Sequence, residues 1–135
     1  MAEIHPPLRG IHEAALYVDD LAVAERVWRR IGLQLVAKDP ARHVFFRAGR
    51  DMLLLFDAAA TREGGGVPAH GAEGPGHVAL EVADAETLDR WREHLTLAGV
   101  AIEHEHRWPS GGVSIYFRDP SGNSLELITR GSWGF

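Results

Sequence analysis

The sequence contains no cysteine, which excludes disulfide bonds, thiol nucleophiles and thiolate-bound metals. It also lacks an apolar run long enough to span a bilayer or, within residues 1–10, to act as a signal peptide. Positive charge is not in excess, because 14 Lys and Arg stand against 19 Asp and Glu, for a formal net charge of -5. A basic surface for nucleic acid is therefore not expected. We predict a cytoplasmic protein that binds neither membranes nor nucleic acid.

An internal repeat is the most informative feature that is present. The segment EAALYVDD, from Glu13 to Asp20, returns as HVALEVAD from His77 to Asp84. Each copy is typical of a strand that runs into a helix, with Asp20 or Asp84 as the N-cap residue. A repeat of this kind predicts a pseudo-symmetric fold and sets the register of the two strands.

Hydrophobic periodicity extends each copy into a β-α-β-β-β unit within one α+β domain over residues 1–135. The units cover about residues 11–57 and 76–130, joined by a Gly- and Pro-rich linker over residues 58–75. Loops of this length in compact domains are often functional. In the second unit, strands are predicted at Val100–His104, Val113–Phe117 and Leu125–Thr129.

Several motifs in these units resemble those of a known superfamily. Leu-x-Val-x-Asp joins strand to helix in both units, Gly-His-Val-Ala-Leu opens the second, and Asp-Pro-Ser-Gly-Asn-Ser-Leu-Glu-Leu runs from Asp119 to Leu127. The sequence is thereby similar to the vicinal oxygen chelate superfamily, which includes glyoxalase I, extradiol dioxygenases and bleomycin-resistance proteins. The resemblance implies two modules that form an open curved barrel around a cavity, a small-molecule substrate and a homodimer.

The resemblance also implies a set of metal ligands. The superfamily's metal-binding positions fall at Glu13, Leu54, His77 and Glu126. Leu54 cannot coordinate a metal, so the predicted ligands are Glu13, His77 and Glu126. One imidazole and two carboxylates suit Mn, Fe(II), Ni or Mg better than a closed tetrahedral Zn site, and the identity of the metal stays open. The departure from a four-ligand set argues against glyoxalase I activity.

The first ligand depends on the register of the first strand. Alternation along this strand places Leu16 and Val18 toward the helices and Glu13 toward the cavity. A β-bulge at Ala14–Ala15 would exchange the two faces and make His12 the ligand instead.

Glu126 supports a cation site on physical grounds. It lies between apolar residues of a predicted strand, and a buried carboxylate is costly unless it is paired or bound to a cation. The alternative is a structural pair between Glu126 and a neighbouring His or Arg. Either Glu126 or Glu13 is a candidate catalytic base.

Substrate contacts are predicted at six positions: Tyr17, Leu54, Phe56, Arg107, Trp108 and Tyr116. Arg107 can neutralise an anionic substrate and Trp108 can stack on a ring, although both also suit an ordinary solvated loop. Tyr116 precedes Glu126 on the adjacent predicted strand, where the resemblance implies a substrate-contacting Tyr and a core aromatic is the alternative. The terminal aromatics Trp133 and Phe135 are expected to dock on the same chain or on a partner subunit.

Two functions are compatible with these residues. The first is a metal-dependent isomerase, lyase, dioxygenase or transferase whose metal acts as a Lewis acid on adjacent oxygens of the substrate. The second is a metal-free protein that binds a small molecule, as bleomycin-resistance proteins do. A metal-free cavity would have to pair or protonate Glu13 and Glu126, so metal content distinguishes the two.

Overall fold

The computed structural model describes residues 6–63 and 67–134. The expectations for the extreme N-terminus, the centre of the linker and Phe135 therefore fall outside the described residues. The elements are β1 (Glu13–Val18), α1 (Leu21–Ile31), β2 (Gln34–Asp39), β3 (His43–Ala48), β4 (Asp51–Asp57), α2 (Ala58–Arg62), β5 (His77–Val82), α3 (Ala85–Leu97), β6 (His104–Arg107), β7 (Val113–Arg118) and β8 (Ser124–Thr129). None of these helices is long and apolar enough to cross a membrane.

The strands form two four-stranded sheets of the same topology. The strand order is β1-β4-β3-β2 in the first sheet and β5-β8-β7-β6 in the second. In each sheet the first strand of the unit runs parallel to the last, and the other neighbours are antiparallel. The predicted α+β fold of two repeated, curved modules is confirmed.

The strand pairing shows which positions of the two units are equivalent. Ala15 of β1 lies opposite Leu54 of β4, and Ala79 of β5 lies opposite Glu126 of β8. Leu54 is therefore the structural counterpart of Glu126. One sheet carries a leucine at the position where the other carries a carboxylate.

The same pairing decides the register of β1. This strand keeps one register with β4 from Glu13 to Val18, so the bulge considered at Ala14–Ala15 is not formed. His12 lies before the strand with an exposed side chain. Glu13 occupies the position that His77 occupies in the second unit, as the repeat predicts.

Both units contribute to one hydrophobic core beneath the helices. Alternate strand residues point toward this core, and the residues between them point to the opposite side of each sheet, here called the open face. Core residues from the two units include Leu16, Trp28, Phe46, Leu55, Val82, Leu88, Ile115, Phe117 and Leu125. The open faces are thereby left for a functional site.

The two predicted aspartate caps are confirmed. Asp20 accepts a hydrogen bond from the Val23 amide at 3.0 Å, and Asp84 accepts one from the Thr87 amide at 2.8 Å. Each cap satisfies a first-turn amide that has no partner within the helix.

A turn with buried side chains at Asp119 and Asn123 ties the second unit to the first. The side-chain nitrogen of Asn123 donates to the Tyr17 carbonyl and to Asp119 Oδ2, both at 3.0 Å. The side-chain oxygen of Asn123 accepts from the backbone amide of Gly76 at 2.7 Å. The Trp28 indole nitrogen lies 3.4 Å from the same Asp119 oxygen. This turn therefore joins α1, β1 and the start of β5.

One predicted strand begins later than expected. The pattern at Val100–His104 predicted a strand, but β6 covers His104–Arg107. The apolar side chains of Val100 and Ile102 pack against the core before the chain enters the sheet. Their alternation therefore reflects burial of a connecting segment.

The predicted linker contains a short helix, α2. Asp57 caps it by accepting from the Ala60 amide at 3.0 Å, and the run Ala58–Ala60 has high helix propensity. A helix of five residues is too short to be read from hydrophobic periodicity.

Glu25 connects α1 to β2 through an ion pair. Its carboxylate accepts from Lys38 Nζ at 2.9 Å and lies 3.4 Å from the Arg29 guanidinium. The hydrogen bond from Lys38 lowers the pKa of Glu25 below its ordinary value of 4.5, against a smaller opposing effect of burial. A lowered pKa in the folded state means that the pair stabilises the protein while Glu25 is ionised.

We expect Lys38→Gln to have a pH-dependent effect on stability. The contribution of the pair is fully present above pH 4.5 and is lost as the pH falls through the lowered folded-state pKa. The substitution should reduce the free energy of unfolding by about 0.5 kcal/mol near neutral pH and by less near ~pH 3. Urea unfolding of both proteins at the two pH values measures this difference, and an equal loss at both would contradict it.

Candidate metal and substrate site

His77 and Glu126 meet on the open face of the second sheet. Parallel pairing of β5 and β8 places His77 Nε2 at 3.2 Å from Glu126 Oε1. Glu126 is only 5% exposed, whereas the His77 side chain is half exposed. A buried carboxylate beside an accessible imidazole is an arrangement that a bound cation stabilises.

The other ring nitrogen of His77 fixes where its proton lies. Nδ1 is 2.9 Å from the Ser124 carbonyl oxygen, which can only accept, so Nδ1 carries the proton. In the neutral ring, Nε2 then presents a lone pair toward Glu126. The Nε2 lone pair and the Glu126 carboxylate oxygen repel each other unless a proton or a metal ion lies between them. Metal-binding histidines are commonly held by a hydrogen bond on the far nitrogen in this way.

A buried serine holds the second oxygen of Glu126. Ser114 is fully buried and donates to Glu126 Oε2 at 2.5 Å. The Trp108 indole nitrogen donates to Ser114 Oγ at 2.8 Å. Ser114 is not among the site residues predicted from sequence. The one sequence signal for it is its position two residues before Tyr116, on the same face of the strand.

Tyr116 lies directly opposite Glu126 in the sheet, as the predicted neighbouring strands imply. Its ring stacks near His77, with ring centroids 6.2 Å apart. Burial, followed by the negative charge of Glu126, raises the pKa of the Tyr116 phenol. The phenol therefore stays protonated near neutral pH and can donate to an oxygen of a bound molecule.

A cavity of about 390 Å³ opens beside this cluster, a size that suits a small molecule. Its walls include His77 and Glu126 together with the aromatic side chains of Trp108, Tyr116 and Trp133. Trp133 is 83% exposed although it borders the cavity.

The arginine at this cavity differs from the predicted one. Arg107 ends β6 with an exposed side chain, whereas Arg130 lies on the cavity wall. Arg130 pairs with Glu81 at 2.7 Å, and both residues border the cavity. The prediction that Arg107 neutralises a substrate stays a prediction, and Arg130 is the cation that sequence reasoning missed.

The remaining predicted substrate contacts lie in an apolar part of the open face of the first sheet. Leu54 and Phe56 are buried there, and the Phe56 ring lies 5.4 Å from Phe45 and 6.3 Å from Tyr17. His70 of the linker covers this face, with Nδ1 at 2.6 Å from the Tyr17 hydroxyl. These residues therefore form an aromatic wall.

Glu13 lies apart from the other two predicted ligands. It borders a separate groove of about 780 Å³ that also contacts residues of β5 and the arginines Arg47 and Arg50. Within residues 6–63 and 67–134, no group of three or more His, Asp or Glu side chains is placed to hold a metal ion. One chain thus brings together His77 and Glu126, and the role of Glu13 stays a prediction.

Two curved sheets of identical strand order, each with helices on one side and an open face on the other, define a class of paired β-α-β-β-β module proteins. The sequence profile of the Glyoxalase/Bleomycin resistance protein/Dioxygenase superfamily matches residues 10–127, and the chain belongs to this superfamily.

Solved structures agree with this assignment. The crystal structure of a lactoylglutathione lyase from Agrobacterium tumefaciens is 42% identical, with a TM-score of 0.90 over 96% of this chain and 100% of that chain. A glyoxalase/bleomycin resistance protein/dioxygenase from Nocardioides is 27% identical, with a TM-score of 0.70 over 93% of this chain and 86% of that one. A glyoxalase-related enzyme from Fulvimarina pelagi, 23% identical with a TM-score of 0.71 over 91% and 89%, shares the fold. No curated protein matches the sequence.

Proposed function

We propose that the protein is a divalent-metal-dependent enzyme that acts on a small substrate with adjacent oxygens. The supporting observation is the convergence of His77 Nε2 and Glu126 Oε1 at 3.2 Å, with the imidazole proton held on the opposite nitrogen. Nitrogen and carboxylate donors of this kind fit Mn, Fe, Ni, Zn or Mg. Members of the superfamily generally use divalent metals.

Each side chain at the cavity has a separate task in this proposal. When bound, a divalent ion supplies Lewis acidity toward the adjacent oxygens of the substrate. Tyr116 donates a hydrogen bond to a substrate oxygen, because its phenol keeps its proton. Trp108 packs against the apolar part of the substrate and excludes water. Glu126 or Glu13, when displaced from the metal, accepts a proton from the substrate as the catalytic base.

We also propose that a second copy of the chain completes the site. In one chain, Glu13 borders the groove beside β5, away from the pair of His77 and Glu126. A homodimer would bring Glu13 and the aromatic wall of one copy over the cavity of the other. Glu13 would then be the third metal ligand. Tyr17 and Phe56 would contact the substrate bound at that metal.

A metal-free binding protein is the second candidate function. The observation that favours it is the complete pairing of the Glu126 carboxylate, with Ser114 on one oxygen and His77 on the other. A protonated His77 would then neutralise Glu126 in place of a metal. The cavity would bind its ligand through Trp108 and Tyr116 without chemistry.

The choice of first substrate follows from the similar proteins. The Agrobacterium protein is described as a lactoylglutathione lyase, so lactoylglutathione is the first compound to assay. Leu54, in place of a fourth ligand, separates this chain from a four-ligand site. Catechols, which also carry adjacent oxygens, are therefore the second class to assay.

Metal content and turnover together test the proposal. Protein purified without added metal or chelator should contain stoichiometric divalent metal by mass spectrometry. Removal of the metal with EDTA should abolish turnover, and its return should restore turnover. Protein that holds no metal under any of these conditions but binds a small ligand tightly would establish the second function and exclude the first.

A further inference from the structure

We propose that Ser114, held by Trp108, is a positioning residue that holds Oε2 of Glu126 and directs Oε1 toward the cation. This inference rests on the proposed function, because it concerns how one of the proposed ligands is oriented. It assigns a role to two side chains that belong to no predicted ligand set.

The chemistry of the indole fixes the direction of the hydrogen-bond chain. An indole N–H can only donate, so Ser114 Oγ accepts the bond from Trp108 Nε1 at 2.8 Å. The single hydroxyl proton of Ser114 is then directed to Glu126 Oε2 at 2.5 Å. The first step has one possible direction, since the indole has no acceptor capacity, and the Tyr116 phenol also interacts with Ser114 and Glu126.

Burial makes this arrangement persistent. Ser114 is 0% exposed and Glu126 is 5% exposed, so water does not compete for the bond between them. With Oε2 held, rotation of the carboxylate would break a short hydrogen bond to a buried charge. Oε1 consequently stays aimed at His77 Nε2.

The two proposed ligands are therefore held in the same manner. The Ser124 carbonyl fixes the far nitrogen of His77, and the Ser114 hydroxyl fixes the far oxygen of Glu126. Outer partners of this type commonly change metal affinity by about 10–100-fold when they are removed. Trp108 also borders the cavity, so one side chain contacts the substrate space and orients the ligand.

Calorimetric titration with Mn²⁺ tests this role on full-length protein freed of metal by EDTA and dialysis. Ser114→Ala should weaken Mn²⁺ binding by about 10–100-fold while the far-UV circular dichroism and the oligomeric state stay unchanged. Trp108→Phe keeps the serine but removes the indole donor, and it should weaken binding by about 3-fold. This second variant carries the test if Ser114→Ala does not fold.

Ser110→Ala is the matched control. Ser110 is an exposed serine on the adjacent loop, and its hydroxyl donates to the Ser132 carbonyl at 2.5 Å. Mn²⁺ affinity in this variant should equal that of the unmodified protein.

The outcomes separate this inference from the proposed function. If the unmodified protein binds Mn²⁺ and the Ser114 and Trp108 variants bind it equally well or more tightly, the positioning role is overturned and the metal-dependent function stands. If the unmodified protein binds neither Mn²⁺ nor Ni²⁺ nor Zn²⁺, the metal-dependent function falls and the positioning role falls with it.

Discussion

Glu126→Gln should abolish stoichiometric metal binding and lower kcat/KM by about 10³-fold or more. Glutamine keeps the shape of the side chain, and its carbonyl can still accept the hydrogen bond from Ser114. It removes the negative charge that faces His77 Nε2 at 3.2 Å. The loss therefore measures the charge of the ligand rather than the packing of β8.

Metal analysis, calorimetric titration and steady-state rates on the same preparation measure this effect. Glu105→Gln is the matched control, because Glu105 lies on β6 of the same sheet and pairs at 3.0 Å with Arg92 on the exposed surface. Its metal content and rate should equal those of the unmodified protein. Full metal occupancy in Glu126→Gln would contradict the assignment of Glu126 as a ligand.

The second large effect is expected on stability, at Asn123. Asn123→Ala would leave the Gly76 amide and the Tyr17 carbonyl without their side-chain partner, and both groups lie at the junction of the two units. It would also remove a hydrogen bond to the buried Asp119 carboxylate. An unsatisfied buried group costs about 1–3 kcal/mol and a partly exposed one less, so we expect a loss of about 2 kcal/mol in the free energy of unfolding.

Urea unfolding monitored by circular dichroism measures this loss. Ser121→Ala in the same turn is the control, because the Ser121 hydroxyl accepts from the Asp19 amide at 3.0 Å in a solvated position. This control should lose less than about 1 kcal/mol. Equal losses in the two variants would show that the turn does not depend on the buried amide of Asn123.

The repeat made the sheet register predictable. Side chains alternate with a strict period of two along a strand, so aligning Glu13 with His77 placed both on the same face. The equivalence of Leu54 and Glu126 came from the resemblance to the superfamily. The pairing of Ala15 with Leu54 and of Ala79 with Glu126 confirms this equivalence. The caps at the start of α1 and α3 were predictable for a similar reason, since aspartate at the end of a strand is a local signal.

Contacts between distant segments were not predictable from these local patterns. Ser114 lies between apolar residues of β7, as many strand serines do, and only its cross-strand neighbourhood reveals the bond to Glu126. Arg130 follows the last strand, and nothing in its surroundings in sequence places it at a cavity. The separation of Glu13 from His77 likewise depends on how the two sheets sit together, which no periodicity within either unit specifies.

Leu54 occupies the position at which the second unit carries the Glu126 carboxylate, and this difference affects which substitutions each unit tolerates. The two units share one topology but differ in how many substitutions their open faces should tolerate. The half around Leu54 and Phe56 should accept many exchanges among hydrophobic residues of similar volume. The half around Ser114 and Glu126 should accept few, because the buried hydroxyl and carboxylate there depend on specific hydrogen-bond partners. Random mutagenesis would therefore find the polar positions of the open faces less tolerant around Glu126 than around Leu54.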